Sequence, residues 1–167
     1  MYRERMETLK EWKVSKTRKP LIIRGARQVG KTWLMKEFGK LYYEKCAYIN
    51  FDDNTRMNKL FDEDFDLDRI IQGLKIESGV NIEPENTLII LDEIQETPNA
   101  LKALKYFYEN ANEYHIVAAG SLLGVAMHQG TSFPVGKVNF MDLMPLSFFE
   151  FLNALGQEHL LNLFKKQ

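Results

Sequence analysis

The 167 residues are long enough for one α/β domain with a packed core and too short for a second of ordinary size, and a hydrophobic share of 45% is that of a globular chain. A lone cysteine, Cys46, excludes an internal disulfide, the N-terminus is too charged for a signal peptide, and no apolar run approaches the ~20 residues of a membrane helix, so the chain reads as cytoplasmic with no membrane partner. The formal charge of −1 hides an asymmetry: residues 1–45 hold 13 Lys and Arg against 5 Asp and Glu, and residues 46–113 hold 6 against 15.

Residues 3–16 alternate charge with Met6, Leu9, Trp12 and Val14, a near-helical spacing that predicts a supporting helix with one apolar stripe. Lys10, Lys13, Lys16, Arg18 and Lys19 either present a basic face to phosphate or DNA or solvate that helix and its exit, the second being preferred. Leu21-Ile22-Ile23, after Pro20, predicts a buried parallel strand.

Next comes Gly25-Ala26-Arg27-Gln28-Val29-Gly30-Lys31-Thr32, which fits G-x-x-x-x-G-K-[ST] at every fixed position. Between a strand and a helix, such a loop turns its backbone N–H groups inward and adds the positive end of the helix dipole, so it cradles polyphosphate. Lys31 is expected to reach the β and γ phosphates and the Thr32 hydroxyl to hold Mg²⁺. Trp33–Tyr43 predicts the following helix, with Trp33, Leu34, Phe38 and Leu41 turned inward; Trp33 is the last of the nucleotide-binding set Gly25–Trp33 and either packs on the core, the preferred reading, or lies beside a base.

Ala47–Phe51 predicts a second strand, whose exit places Asn50 and Asp52 near the site or in a solvated loop. Two acidic amphipathic helices follow in residues 54–79, one carrying Leu60, Phe61 and Phe65, the other Leu67, Ile70, Ile71, Leu74 and Ile76. Thr87-Leu88-Ile89-Ile90-Leu91-Asp92-Glu93 then reads as a buried strand delivering two acids to the sheet's carboxyl edge. Asp92 is expected to bind Mg²⁺ opposite Thr32, and Glu93 to orient and deprotonate a water attacking the γ phosphate.

Thr97-Pro98 supplies an N-cap and a first-turn proline for a helix that buries Leu101, Leu104, Phe107 and Tyr108. Tyr114–Ala119 predicts a strand ending at Gly120-Ser121, where Ser121 either hydrogen-bonds the γ phosphate or its attacking water, or caps a helix beginning at Leu122. Residues 130–134 read as a turn, residues 137–143 as a last strand, and Ser147-Phe148-Phe149-Glu150 as a capping box opening a helix that runs on toward the end. His115, His128 and His159 share no paired spacing, so no metal is expected beyond the nucleotide's own Mg²⁺.

The runs Arg24–Thr32, Ile90–Gln95, Gly120-Ser121 and Leu143–Phe151, together with an extra strand between the phosphate loop and the paired acids, resemble prokaryotic AAA-superfamily ATPases that carry a C-terminal domain of unknown function. The resemblance implies a three-layer α/β/α sandwich with a mostly parallel five-stranded sheet and the phosphate-loop strand near its centre. It also implies ATP and Mg²⁺ as cofactors, Glu93, Lys31 and Ser121 as catalytic residues, and a module that turns hydrolysis into a change of shape. Residues 1–19 would form an N-terminal helix, 20–145 the nucleotide-binding core, and 146–167 the start of a truncated C-terminal helical region, through which a homo-oligomer could form. Where relatives usually carry Gly-Arg, this chain has Gly136-Lys137, which supplies charge without arginine's planar fork. A small-molecule kinase is disfavoured because residues 121–167 contain no Arg, and a GTPase because Asn58-Lys59-Leu60-Phe61 lacks the base-reading acid. The remaining alternative is a nucleotide-gated switch that binds DNA or a protein with little turnover.

Overall fold

Apolar runs too short for helices and flanked by amphipathic segments become the strands of one parallel sheet. The computed structural model describes residues 4–121, 134–157, 159 and 162–163. In chain order the elements are α1 (Arg5–Val14), β1 (Leu21–Arg24), α2 (Lys31–Tyr42), β2 (Lys45–Asn50), α3 (Thr55–Glu63), α4 (Leu67–Ser78) and β3 (Thr87–Asp92). A 3₁₀ turn (Ile94–Glu96), α5 (Pro98–Asn110), β4 (His115–Gly120), β5 (Asn139–Asp142) and α6 (Phe148–Ala154) follow. The expected helix from Leu122, the turn from Gly130 to Phe133, and Leu160, Leu161 and Phe164 lie outside the described residues.

The five strands lie in the order β2-β3-β4-β1-β5, every pair parallel. The phosphate-loop strand β1 is therefore interior, and β4 separates it from β3. Strand alternation sends successive residues to opposite faces. Leu21, Ile23, Leu88, Ile90 and Val117 meet Met6, Leu9 and Trp12 of α1 and Leu34, Met35 and Phe38 of α2. Ile22, Ile89, Leu91 and Ile116 meet α3, α4 and α5 through residues such as Phe61, Leu74 and Phe107. The result is the three-layer α/β/α sandwich, with β3 and β4 buried along their whole lengths. Each fully buried Phe, Ile or Leu contributes about 1.5–3 kcal/mol of transfer free energy, so these two clusters hold the layers together.

Several expected inward side chains point out instead. Val14, Leu41 and Ile76 are 79%, 55% and 84% exposed, each on the last turn of its helix, where the apolar stripe runs past the sheet it covers. Thr97 stands at the N-cap of α5, but its hydroxyl donates to Asn58 Oδ1 rather than to the helix, tying α5 to α3. The capping box of α6 forms as expected: Ser147 Oγ accepts from Glu150 N (3.1 Å) and Glu150 Oε1 from Ser147 N (3.2 Å). That helix does not run on unbroken, because Leu155 closes it and Gly156 turns with φ 71°.

At the opposite end of the sheet, His115 opens β4 with 7% exposure, and its Nδ1 lies 2.7 Å from the Tyr43 hydroxyl. Burial, with the positive charges of Arg18 and Lys13 nearby, pushes its pKa down to about 4. A base depressed in the folded state binds its proton first in the unfolded chain, so its stability contribution is complete above pH ~6.5 and declines as the pH falls toward ~4. Urea unfolding near pH 5 should therefore show a loss of about 2 kcal/mol relative to pH 8 from this residue. His115→Gln should lack that component, and an unchanged pH profile in the variant would contradict it.

Candidate functional site

The site grows from the carboxyl edge of the sheet, where β1 gives way to the phosphate loop. Gln28 (φ 61°) and Gly30 (φ 91°) take left-handed backbone, a geometry that folds the loop back over the start of α2. Gly25 is required for a different reason: a Cβ there would sit 2.5 Å from the carbonyl oxygen of Leu143, where the chain leaves β5 and presses on the loop. Lys31 and Thr32 occupy the first turn of α2, so the helix begins two residues earlier than its apolar pattern indicates.

Lys31 is 6% exposed. Its ammonium donates to the carbonyls of Gly25 (2.8 Å) and Ala26 (2.6 Å), leaving one of its three hydrogens for another acceptor. Burial lowers its pKa, and the negative charges of Glu93 and Asp92 work against that shift. Thr32 Oγ1 donates to Asp92 Oδ2 at 2.6 Å, bringing together two groups sixty residues apart in the chain. A hydroxyl has one hydrogen and two lone pairs, so giving the hydrogen to Asp92 leaves Thr32 its lone pairs for a cation. The donor set, a hydroxyl and a carboxylate with hard oxygens, suits Mg²⁺ carried on phosphates.

Asp92 is 3% exposed, and its carboxylate accepts three hydrogen bonds among the described residues. Tyr48 Oη donates to Oδ2 at 2.7 Å, and the backbone N–H of Glu93 to Oδ1 at 3.0 Å. Burial, then the hydrogen bond to Asp92 and its charge, push the Tyr48 phenol well above its usual range, so it acts as a donor. Glu93 adopts φ 54°, left-handed backbone that a β-carbon makes costly by about 1–3 kcal/mol. Gln95 Nε2 donates to Glu93 Oε2, holding the carboxylate beside the 3₁₀ turn.

Arg27, Gln28, Gly30, Lys31, Thr32 and Glu93 line one cavity of about 470 Å³, together with Asp52 and Glu96. The structure thus brings together Lys31, Thr32, Asp92 and Glu93. Val29 is buried in the core, Ala26 is an exposed residue of the loop, and half-buried Trp33 packs on the α1/α2 core rather than lining the cavity. Asp52 reaches the cavity, whereas Asn50 uses its side-chain oxygen to accept from the Asp52 N–H (2.9 Å) in the turn after β2. Ser121 follows β4 at the same edge, its Oγ buried and without a partner among the described residues, but it does not line the cavity. Tyr48, Gln95 and Glu96 are the contributions sequence reasoning missed. A trace of Tyr48 was present, since strand alternation puts it on the face of Asp92 once β2 and β3 are known to pair.

The basic N-terminal residues are largely engaged within the chain. Lys10 pairs with Glu7 (3.3 Å), Lys13 donates to the Tyr42 carbonyl, Arg18 to the Asn112 carbonyl, and Lys19 to that of Gly136 (2.9 Å). Lys137 pairs with Glu109 of its own chain at 3.2 Å. Among the described residues no helix is long and apolar enough to cross a membrane, and no cluster of three His, Cys, Asp or Glu could hold a metal.

A family model described as an AAA domain matches residues 17–152. No curated protein matches the sequence. Among solved structures, the Walker-type ATPase of Pyrococcus abyssi aligns with a TM-score of 0.60 at 16% identity, over 93% of this chain and 58% of that one. Drosophila ORC bound to DNA aligns at 0.58 and 19% identity, over 96% and 48%. The Aeropyrum pernix ORC1 protein in complex with DNA aligns at 0.52 and 15%, over 95% and 50%. The chain thus spans about half the length of these proteins, and at such identities the likeness is one of fold.

The loop's two essential glycines should fail differently. Gly25→Ala should lower stability by about 1–3 kcal/mol through the clash with Leu143. Gly30→Ala, with nothing within 4 Å of its Cβ, should lose only the ~1 kcal/mol of left-handed strain. Urea midpoints of the two variants measure this, and a Gly25→Ala midpoint equal to the parent's would contradict the close approach.

Proposed function

This chain belongs to the AAA domain family of P-loop ATPases, and we propose that it binds ATP with Mg²⁺ at the Gly25–Thr32 cradle and hydrolyses it, coupling nucleotide state to conformation. The observation that carries the reading is the 2.6 Å hydrogen bond from Thr32 to Asp92, beside the Lys31 ammonium and the Glu93 carboxylate in one cavity. In this proposal the loop amides and Lys31 bind the phosphates, while Thr32, with Asp92 behind it, holds the metal. Bound Mg²⁺ would neutralise charge on the β and γ phosphates. Glu93 orients and deprotonates the attacking water, and Ser121, which follows β4 with a hydroxyl that has no partner among the described residues, is the candidate for sensing the γ phosphate. A cytoplasmic location fits the same reading, since ATP and Mg²⁺ are available there.

The alternative, a nucleotide-gated switch with little turnover, divides by partner. The internal engagement of Lys13, Arg18 and Lys19 weakens a DNA-binding role for the N-terminal helix. Phe149, Phe151 and Leu155 are 44%, 48% and 56% exposed on and after α6, which favours a protein partner or a second copy.

Glu93→Gln should lower phosphate release by about 10²–10⁴-fold, or roughly 3–5 kcal/mol of barrier, while calorimetry finds ATP binding retained. Hydrolysis by the variant at the parent's rate would remove Glu93 from the role of base.

A further inference from the structure

Tyr48 stands on β2, opposite Ile90 of β3, and its ring projects to the same face as Asp92 two residues further along β3. Side chains in strands lean along the strand, which lets a long phenol reach a carboxylate that its own register partner cannot. The result is that two hydroxyls from different elements, Thr32 of α2 and Tyr48 of β2, converge on one oxygen, Asp92 Oδ2, at 2.6 and 2.7 Å. The other oxygen is held by the Glu93 N–H at 3.0 Å. The two hydroxyls differ in placement. Thr32 lines the cavity, whereas Tyr48, half-buried on the edge strand β2, does not.

One turn along α2 from Thr32 lies Lys36, whose ammonium sits 4.0 Å from the centre of the Tyr48 ring. Residues four apart share a helix face, so a single stretch of α2 sets both the hydroxyl on Asp92 and the cation on the phenol that supports it. A cation over the ring draws electron density from it and strengthens the phenolic O–H as a donor.

We propose that Tyr48 is a positioning residue for the metal: it fixes Asp92 in the orientation that takes the Thr32 hydrogen, and thereby sets how tightly Mg²⁺ is held on the bound nucleotide. This rests on the nucleotide reading above and extends it to a residue outside the loop and the paired acids. Without the phenol, Asp92 Oδ2 keeps one donor instead of two, and only Thr32 and the Glu93 N–H hold the carboxylate. The Thr32 lone pairs then lose their fixed aim, while the loop amides and Lys31, which face phosphate, are untouched.

The test separates metal from phosphate. The 167-residue chain is titrated with Mg²⁺ at a fixed concentration of a fluorescent non-hydrolysable ATP analogue, and the analogue's affinity is measured again in EDTA. Tyr48→Phe keeps the ring and should raise the Mg²⁺ concentration for half-maximal effect about tenfold, with affinity in EDTA unchanged. Lys36→Met, at an exposed position where folding is not at stake, should move it the same way by about two- to fivefold. A Tyr48→Phe chain with the parent's Mg²⁺ requirement, or with affinity lowered equally in EDTA, overturns the positioning role while leaving the nucleotide reading intact. A parent chain that binds the analogue in neither condition removes that reading, and this proposal with it.

Discussion

The hydrogen bond between Thr32 and Asp92 is the interaction on which the site depends, and the whole sheet is arranged to make it possible. Thr32 follows β1 and Asp92 ends β3, yet β4 lies between those strands. The two groups meet because α2, on leaving the loop, crosses over β4 to pack Leu34, Met35 and Phe38 against the face carrying Leu88, Ile90 and Val117. Thr32 is thereby carried sideways across a strand to the acid. Buried apolar packing thus sets the geometry of a polar contact that the local sequence of neither motif could specify.

The same edge brings both charges to one cavity, Lys31 and Arg27 from the loop and Asp52, Glu93 and Glu96 from the chain beyond β2 and β3. Lys31 bonds two loop carbonyls rather than either acid, so it braces the loop and keeps a hydrogen in reserve. Glu93 is held by local means, a left-handed backbone and the amide of Gln95, which leaves its carboxylate on the cavity wall. Strain at such a position is tolerated where the surrounding structure over-determines it, here a fully buried β3 on one side and a 3₁₀ turn on the other.

Much of this was legible in the sequence, for identifiable reasons. The loop motif and the run into Asp92-Glu93 carry their own context, and buried parallel strands such as Leu88–Leu91 show as unbroken apolar runs. The capping box at Ser147 and Glu150 is a local signal and forms as written. What failed depends on distance in the chain. Helical periodicity counts Val14, Leu41 and Ile76 as inward because it does not know where the sheet ends. Local sequence gives the Thr97 hydroxyl to its own helix because Asn58, its actual partner, lies 39 residues away. In the sequence Tyr48 is one more strand aromatic, and its hydrogen bond to Asp92 follows only from the β2–β3 register. For the basic N-terminus the preferred reading is a solvated helix exit, and the sequence does not show that Arg18 and Lys19 reach the carbonyls of Asn112 and Gly136.

The central claim is that a triphosphate docks on the loop with its metal on the Thr32 oxygen, whose hydrogen Asp92 holds. Calorimetric titration of the parent chain with ATP, in Mg²⁺ and again in EDTA, measures this most directly, with GTP run in parallel. The account predicts saturable binding of ATP that tightens markedly with Mg²⁺ and exceeds that of GTP. Absence of binding, or ATP affinity indifferent to the metal, would contradict it.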